Sequence, residues 1–282
     1  MGLMGAYGRI SICDGGLLPF KQGNLNQTFK ALVQPKGFNA PFSAIVKDLP
    51  IRELFNELVS FVVLRALGLP IPSVYLGMVG GETQHLSKAP SLGNGSKLVY
   101  VSEEIPSPSL KMAMGWRDGQ SEEACMACLS KFVPQIACWD KLGELYAFDT
   151  WLANTDRNLG NIVFGGKGSD GEPKVWLIDH GRSFTGEAWK PGDLVPEKSF
   201  TNMLKVWATP FLTTVQKDLC LLSTEMFVEN AKRIDVNEPI DFYTNAFGLS
   251  EADKVAAKNF LIVRLGKVSE HAKDALVMET IL

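Results

Sequence analysis

The spacing of hydrophobic and polar residues differs between the first third of the chain and the rest. In the first third, short apolar segments alternate with turns rich in Gly and Pro, which is typical of strands in a small sheet. The predicted strands are residues 10–13, 28–33, 43–46, 73–79 and 98–101. One segment in this region, residues 52–67, instead carries apolar side chains every three or four positions, so we predict a helix that ends before Gly68 and Pro70.

After Pro106 and Pro108 the pattern becomes mainly helical. The predicted helices are residues 122–132, 139–153 and 254–268, the last within a mostly helical segment that begins near residue 193. The predicted strands are residues 161–164 and 174–178, joined by a Gly-rich hairpin turn. This order of elements predicts an α+β fold with a β-rich lobe, residues 1–105, and a mostly helical lobe, residues 106–282.

Length and composition are those of an ordinary globular protein. The chain has 282 residues, of which 46% are hydrophobic and 21% charged, so it can bury a core without disulfides. A net charge of −3 argues against dedicated nucleic-acid binding. No apolar run approaches the roughly 18 residues of a membrane span, and no secretory signal is evident. Together with five scattered cysteines, these features predict a cytoplasmic protein with reduced thiols.

The helical region contains a pattern of acidic and amide residues that suits phosphoryl transfer. Asp156 and Asn161 are five positions apart, the spacing of the kinase catalytic loop, in which the Asp meets the substrate hydroxyl and the Asn holds a metal. Asp179 ends the second strand of the hairpin, so we expect it to approach Asn161 across the open end. Amide and carboxylate oxygens are ligands that Mg²⁺ prefers. The sequence therefore predicts a base and a magnesium site on one scaffold.

The β-rich lobe contains residues that suit a nucleotide. Lys47 ends an apolar strand, and Glu57 lies on the helix that follows it. Phosphotransferases pair such a Lys with a helix Glu, which keeps the ammonium aimed at the α- and β-phosphates. The strand at residues 98–101 leads to Glu103 and Ile105, where backbone groups could hold the adenine edge. We therefore predict that these four residues bind a nucleotide.

These features together resemble the HipA-like kinase family. The resemblance covers roughly residues 40–185 and includes residues 149–161, residues 177–184 and the phrase Leu67-Gly-Leu-Pro-Ile-Pro72 after the first helix. It implies a two-lobed protein-kinase-like fold with an ATP cleft between the lobes. It also implies Mg²⁺ and transfer of the γ-phosphoryl group of ATP.

The resemblance gives each candidate residue a role by position. It implies Asp156 as the catalytic Asp, Asn161 and Asp179 as metal ligands, Lys47 as the phosphate contact, Glu57 as its holder, and Glu103 and Ile105 as hinge contacts. Asn158 stands where many members of the family have His. Residues 22–28 are the candidate for the loop that covers the nucleotide.

The acceptor of the phosphoryl group is left open by these motifs. The leading hypothesis is a protein Ser or Thr hydroxyl, and the resemblance adds an antitoxin or other regulatory partner. An enzyme that phosphorylates a small molecule or lipid head group is the alternative, because such enzymes share the same acidic and amide pattern. A non-catalytic nucleotide-binding module is the third. Taken singly, Asp156 could be a turn residue, Lys47 a solvated strand end, and His180 a residue that packs to fix the turn.

Overall fold

The computed structural model describes residues 10–12, 17–19, 27–35, 39–80, 86–167 and 173–277. The strands of its first part are β1 (Ile10–Ile12), β2 (Leu18–Pro19), β3 (Thr28–Pro35), β4 (Phe42–Lys47), β5 (Val74–Val79) and β6 (Lys97–Glu103). They form one antiparallel sheet in the order β1-β3-β4-β6-β5, with β2 also paired to β3. The central position of β4 brings the residue at its end, Lys47, opposite Tyr100 of β6.

Successive side chains of the central strands point to opposite faces of the sheet, and this determines which of them face the helical part of the molecule. Ala44 and Val46 of β4 are fully buried in a hydrophobic cluster on one face of the sheet. Ile45 and Lys47 point to the opposite face, because successive side chains of a strand do so, and they line a cleft there. Tyr100 of β6 also lines this cleft. The sheet therefore has one face for its own core and one face for the cleft.

The first helix, α1 (Ile51–Ala66), is buried on nearly all sides. It is more enclosed than an amphipathic helix on the surface, because the sheet covers one side and the later helices cover the other. Arg52 Nη1 contacts Asp253 Oδ1 at 2.9 Å. Asn56 Nδ2 donates a hydrogen bond of 2.7 Å to the carbonyl of Gly181. These contacts attach α1 to the helical part of the chain.

The rest of the described chain is mostly helical. Its helices are α2 (Leu110–Ala113), α3 (Glu122–Ile136), α4 (Leu142–Trp151), α5 (Leu204–Trp207), α6 (Thr214–Ala231), α7 (Asn237–Phe247), α8 (Glu251–Leu265) and α9 (Val268–Leu276). The strands β7 (Ile162–Lys167) and β8 (Pro173–Leu177) form an antiparallel hairpin. The central helix α4 is buried along its whole length and packs against α6, α8 and α9. Within the described ranges, no helix is both long and apolar enough to cross a membrane.

The predicted α+β class and the change from strands to helices are confirmed. Several helix boundaries differ from the prediction: α3 continues to Ile136, and α4 begins only at Leu142. α4 ends at Trp151, because Ala153 adopts a left-handed backbone with φ 46°. The helix predicted at residues 254–268 is the end of α8 and the start of α9, and α8 begins earlier because Ser250 caps it.

Two short elements, β2 and α2, were not predicted, since two to four residues are too few to show a period. Residues 168–172 of the predicted hairpin turn lie outside the described residues. Residues 22–26 of the candidate covering loop also lie outside them. The division into lobes at residues 105 and 106 stays a prediction.

Candidate active site

A cleft of about 1450 Å³ separates the sheet from the helical part of the molecule. Six of the seven predicted site residues line it: Lys47, Glu103, Ile105, Asp156, Asn161 and Asp179. The seventh, Glu57, is fully buried on α1 directly behind Lys47. Residues that are far apart in sequence and were predicted from separate motifs therefore meet at one site.

Lys47 lies at the centre of an ionic network on the sheet side of the cleft. Its Nζ is 2.8 Å from Glu57 Oε1 and 3.1 Å from Asp179 Oδ1. The ring of Tyr100 lies below the ammonium, with 5.2 Å between Nζ and the ring centroid. Only 13% of the Lys47 side chain is exposed. The ammonium is therefore held in one position by groups on three different elements.

The network keeps both of its buried partners charged. Burial by itself lowers the pKa of Lys47, but the carboxylates of Asp179 and Glu57 outweigh burial and hold this pKa well above its ordinary value. Burial likewise raises the pKa of Glu57 by itself, but the ammonium of Lys47 and the neighbouring His180 together outweigh burial and hold this pKa well below the usual range. The result is an ion pair that persists across the neutral pH range.

His180 packs behind this network and does not reach the cleft. Its backbone N–H donates a 2.9 Å hydrogen bond to Glu57 Oε2, which fixes the second oxygen of that carboxylate. Its ring is fully buried and packs edge-on against Phe148, with 5.8 Å between the ring centroids. Burial lowers the pKa of His180, so the ring is neutral at pH 7. The residue supports Glu57 and the turn after Asp179.

The loop that carries Asp156 is fixed by a buried ion pair. Arg157 Nε and Nη2 donate to the two oxygens of Asp149 at 2.9 and 3.0 Å, and neither side chain is exposed. Arg157 Nη1 donates to the carbonyls of Asn161 and Ile178, each at 3.0 Å. One guanidinium therefore ties together the end of α4, the loop and the strand that leads to Asp179.

Asp156 is surrounded by neutral amides at the surface of the cleft. Its backbone N–H donates to Asn154 Oδ1 at 3.1 Å, and its Oδ1 accepts from Asn158 Nδ2 at 3.1 Å. Asn161 Nδ2 donates to the carbonyl of Asp156 and lies 3.4 Å from its Oδ2. Among the described residues, the carboxylate is therefore oriented by hydrogen bonds to amides and forms no ion pair, an arrangement in which it can accept a proton or align a hydroxyl.

Asn161 and Asp179 approach each other across the open end of the hairpin. The N–H of Ile178 donates to the carbonyl of Asn161 at 3.1 Å, which joins the two strands just before Asp179. Asp179 itself adopts a left-handed backbone with φ 59°, an uncommon conformation for a residue other than Gly and one often seen at functional sites. Its side chain is 44% exposed.

This pair of donors suits a hydrated magnesium ion. Because the amide nitrogen of Asn161 faces Asp156, its Oδ1 is the atom that remains for a metal. Asp179 adds a carboxylate whose exposed surface opens into the cleft. Mg²⁺ is commonly held by one or two protein oxygens, with waters and substrate phosphates filling the other positions. The residues present therefore fit the ion.

The end of β6 has the backbone groups expected of a hinge. The N–H groups of Glu103 and Glu104 are bound to the carbonyls of Ser73 and Ser43, at 2.8 and 2.9 Å. The N–H of Ile105 lies where the strand has ended, and it has no hydrogen-bond partner among the described residues. Ile105 is therefore the backbone donor of this segment that a bound base could use.

Sequence reasoning missed the residues that support the site. Asp149 and Arg157 belong to the motif that was used, but their pairing was not predicted. A signal existed, because a charged residue near the end of an apolar helix requires a partner once buried. Tyr100, which lies under Lys47, was also missed, since an aromatic residue in a strand usually belongs to the core.

Comparison with known proteins gives a match in structure. No protein-family model and no curated protein matches the sequence. The crystal structure of the Helicobacter pylori proinflammatory kinase CtkA is similar in fold, with a TM-score of 0.56 and 18% identical residues, and the match covers 94% of this chain and 96% of that chain. An identity this low shows the fold alone. The predicted two-lobed, kinase-like α+β fold is thus confirmed, and the closer resemblance to HipA-like kinases stays a prediction.

Proposed function

We propose that this protein is an ATP- and Mg²⁺-dependent phosphotransferase of the HipA-like type, which transfers the γ-phosphoryl group to a Ser or Thr hydroxyl of a protein. One observation carries the proposal. A Lys held between two carboxylates shares a cleft with an Asp that has no ion-pair partner among the described residues, and with an Asn–Asp pair whose oxygens suit a metal ion. The likeness to a protein whose printed name calls it a kinase adds support at the level of the fold.

Lys47 and the metal ligands act on the phosphates of ATP. Glu57 holds Lys47 in place, so that the ammonium can contact the α- and β-phosphates without first losing side-chain freedom. Asn161 and Asp179 would hold the Mg²⁺ ion, which neutralises charge on the phosphates during transfer. Because Asp179 also contacts Lys47, a residue that would hold the ion and the residue that would contact the phosphates are fixed relative to one another.

Asp156 acts on the acceptor. Its carboxylate accepts a hydrogen bond from Asn158 and faces the cleft, where it can orient the attacking hydroxyl and take its proton. Adenine would bind at the other end, where Ile105 offers its N–H and Glu103 lines the wall. The loop around Asp156 is fixed by Arg157 and Asp149, so this geometry exists before a substrate arrives.

The two central carboxylates can be separated experimentally. A metal ligand contributes to binding of Mg²⁺-ATP and to transfer, so Asp179→Ala should weaken binding and abolish transfer. Asp156 contributes mainly in the transition state, so Asp156→Ala should bind Mg²⁺-ATP like the wild type and lose about 10²–10⁴-fold in rate. Calorimetric titration with a non-hydrolysable ATP analogue, with and without Mg²⁺, measures binding, and transfer from labelled ATP measures the rate.

The same assay identifies the acceptor class. Label on protein bands after incubation with a cell lysate supports a protein acceptor. Label found only on small molecules or lipids would show that the acceptor is a small molecule or a lipid head group and would contradict the proposed protein acceptor. Binding of ATP without any turnover would indicate a non-catalytic module. If Asp156→Ala loses Mg²⁺-dependent binding while Asp179→Ala keeps it, the two roles are reversed. Lys174→Ala, an exposed position on β8 away from the cleft lining, is the matched control.

A further inference from the structure

Asn56 of α1 is fully buried and holds the segment of chain that follows the carboxylate at the end of β8. Its Nδ2 donates to the backbone carbonyls of Gly181 at 2.7 Å, Ser183 at 2.8 Å and Gly186 at 3.0 Å. Its Oδ1 accepts a 2.8 Å hydrogen bond from Trp189 Nε1. Carbonyls only accept and an indole N–H only donates, so these partners fix the orientation of the amide. One side chain therefore holds the segment at three points of its backbone.

The held segment has a backbone conformation that depends on its surroundings. Phe184, Thr185 and Gly186 have φ angles of 55°, 73° and 142°, in the left-handed region that L side chains rarely adopt. Such conformations persist where the surrounding structure imposes them, and they are concentrated at functional sites. The carbonyls that Asn56 binds lie on both sides of Phe184 and Thr185. The amide is therefore one of the groups that impose this conformation.

The same segment is hydrogen-bonded, backbone to backbone, to the residues that lead to Asp156. The bonds run from N–H to carbonyl: Phe184 to Leu152 at 2.7 Å, Thr185 to Ala153 at 3.3 Å and, in the opposite direction, Thr155 to Arg182 at 3.4 Å. The hydroxyl of Thr155 also donates to the carbonyl of Arg182, at 3.4 Å. Because Thr155 immediately precedes Asp156, the position of the segment sets the point from which Asp156 enters the cleft.

Asn56 and its neighbour Glu57 therefore support different ends of the site. Glu57 contacts Lys47, which lies on the sheet side. Asn56 reaches the helical side, where its segment supports the chain just before Asp156. The ion pair of Arg157 with Asp149 supports the chain just after it, so this loop is held on both sides of the carboxylate.

We propose that Asn56 is a positioning residue for Asp156, on which it acts through residues 181–186. The inference rests on the proposed function, because it takes Asp156 as the group that orients the acceptor hydroxyl. Asn56 then contributes to the rate of transfer and not to binding of Mg²⁺-ATP, because Glu57 holds the phosphate contact Lys47 separately. Misplacement of a reacting group by about 1 Å can cost about 10²-fold in rate.

The test compares Asn56→Ser with Ser60→Ala in the whole chain. Ser60 lies one turn further along α1, and its Oγ donates to Ser183 Oγ at 3.1 Å. Ser60→Ala is the matched control, because it removes a contact with the same segment and leaves the three carbonyls bound. Asn56→Ser should lower the rate of transfer from labelled ATP by about 10–10²-fold. Its affinity for a non-hydrolysable ATP analogue with Mg²⁺ should stay within about twofold of the wild type. Ser60→Ala should change neither.

Two further measurements separate positioning from a general loss of structure. In the Asp156→Ala background, Asn56→Ser should lower the rate no further, because the carboxylate that it positions is gone. Backbone hydrogen exchange, measured without nucleotide, should rise in Asn56→Ser both at residues 181–186 and at residues 152–157, and not in Ser60→Ala.

A second variant reaches the same segment if Asn56→Ser does not fold. Gly186→Ala adds a Cβ where φ is 142°, so it strains the segment without removing a hydrogen-bonding group. It should show the same split, with a lower rate of transfer and unchanged affinity for the ATP analogue.

Each other outcome overturns the inference. If Asn56→Ser transfers as fast as Ser60→Ala, or loses affinity for the ATP analogue as much as rate, Asn56 does not position Asp156. If Asn56→Ser slows Asp156→Ala by the same factor as it slows the wild type, it acts on another group. If exchange rises at residues 181–186 alone, the segment does not support the loop. These results leave the proposed function standing as long as Asp156→Ala loses its rate. If the wild type transfers no phosphoryl group, the proposed function fails as well.

Discussion

On the sheet side of the cleft, Lys47 forms ion pairs with both Glu57 and Asp179. On the helical side, the described residues that bind the carboxylate of Asp156 are neutral amides. The charged pair that supports the helical side, Arg157 and Asp149, is buried behind the loop and separate from the cleft. In the first arrangement, the groups that stabilise the structure include the one that we propose contacts the ligand. In the second, one buried pair stabilises the structure and a different residue is proposed to act in catalysis.

This difference predicts how each side responds to substitution. On the helical side, a substitution should be able to lower the activity without lowering the stability of the fold. Asp156 can be replaced without leaving a buried charge unpaired, because it is not part of the Arg157–Asp149 ion pair. On the sheet side activity and stability should be linked, because removal of one charge alters the ionisation of the others. The three substitutions below test that contrast, beginning with the largest expected effect.

Asp149→Ala should cause the largest loss of stability. The substitution leaves the buried guanidinium of Arg157 without its carboxylate partner. Removal of one partner of a buried ion pair typically lowers the free energy of unfolding by about 3–5 kcal/mol. Urea denaturation measures the change. Glu229→Ala, which removes an exposed partner of Lys232, is the control and should change stability by about 1 kcal/mol or less. A loss from Asp149→Ala no larger than that of the control would show that the loop does not depend on this pair.

Glu57→Gln should lower stability by about 1–3 kcal/mol at pH 7, because Lys47 loses one of its two charged partners. The folded-state pKa of Glu57 lies below its ordinary value of 4.5, so its contribution is present above that pH and is lost as the pH falls further. The pKa of Lys47 is raised, so its contribution persists up to its ordinary value of 10.5 and is lost at higher pH.

Urea denaturation of wild type and Glu57→Gln at pH 7, 5 and 3 checks this dependence. The difference in stability between the two proteins should be constant between pH 7 and 5 and should shrink toward pH 3. ATP affinity at pH 7 should fall together with stability, since the carboxylate of Glu57 holds Lys47, the proposed phosphate contact. A difference in stability that stays constant down to pH 3 would exclude an ionised Glu57 as its source.

Substitutions of Asn158 should have the smallest effect on stability. They should separate the two roles of this side chain, which caps a turn and orients Asp156. Asn158 Oδ1 accepts from the N–H of Gly160 at 2.7 Å and caps the turn, while its Nδ2 donates to Asp156. Asn158→Ala should cost about 1 kcal/mol in stability, the usual value of a cap, and lower the rate of transfer. Asn158→Ser keeps a capping oxygen, removes the amide donor and adds no second negative charge beside Asp156, so it should preserve stability and still lower the rate. Equal stability losses in the two variants would contradict this assignment.

Much of the candidate site could be predicted because its information is local in the sequence. Asp156 and Asn161 lie on one loop, Asp179 lies across a short hairpin, and only nine residues separate Lys47 from Glu57. Short spacings leave the chain few ways to arrange these side chains. The same reasoning predicted the strands of the sheet, where alternation is regular.

The contacts that hold the site in place depend on distant parts of the chain and could not be predicted. Asp48 binds amides about forty residues away, and Arg52 contacts Asp253 in α8. A sequence shows that such charges exist, but not which partner the fold brings to them. Helix ends were wrong for a similar reason: the left-handed turn at Ala153 is set by the packing of the loop, not by a Gly or Pro signal.

The attachment of α1 to the helical part has a mechanical consequence. Asn56 and Arg52 attach this helix to the segment after Asp179 and to α8, so α1 is joined to the helical part of the molecule although it lies between β4 and β5 in the chain. Lys47 lies on the sheet and Glu57 on α1, so the 2.8 Å ion pair between them joins these two parts of the molecule directly. Any movement of the sheet away from α1 would have to break this ion pair.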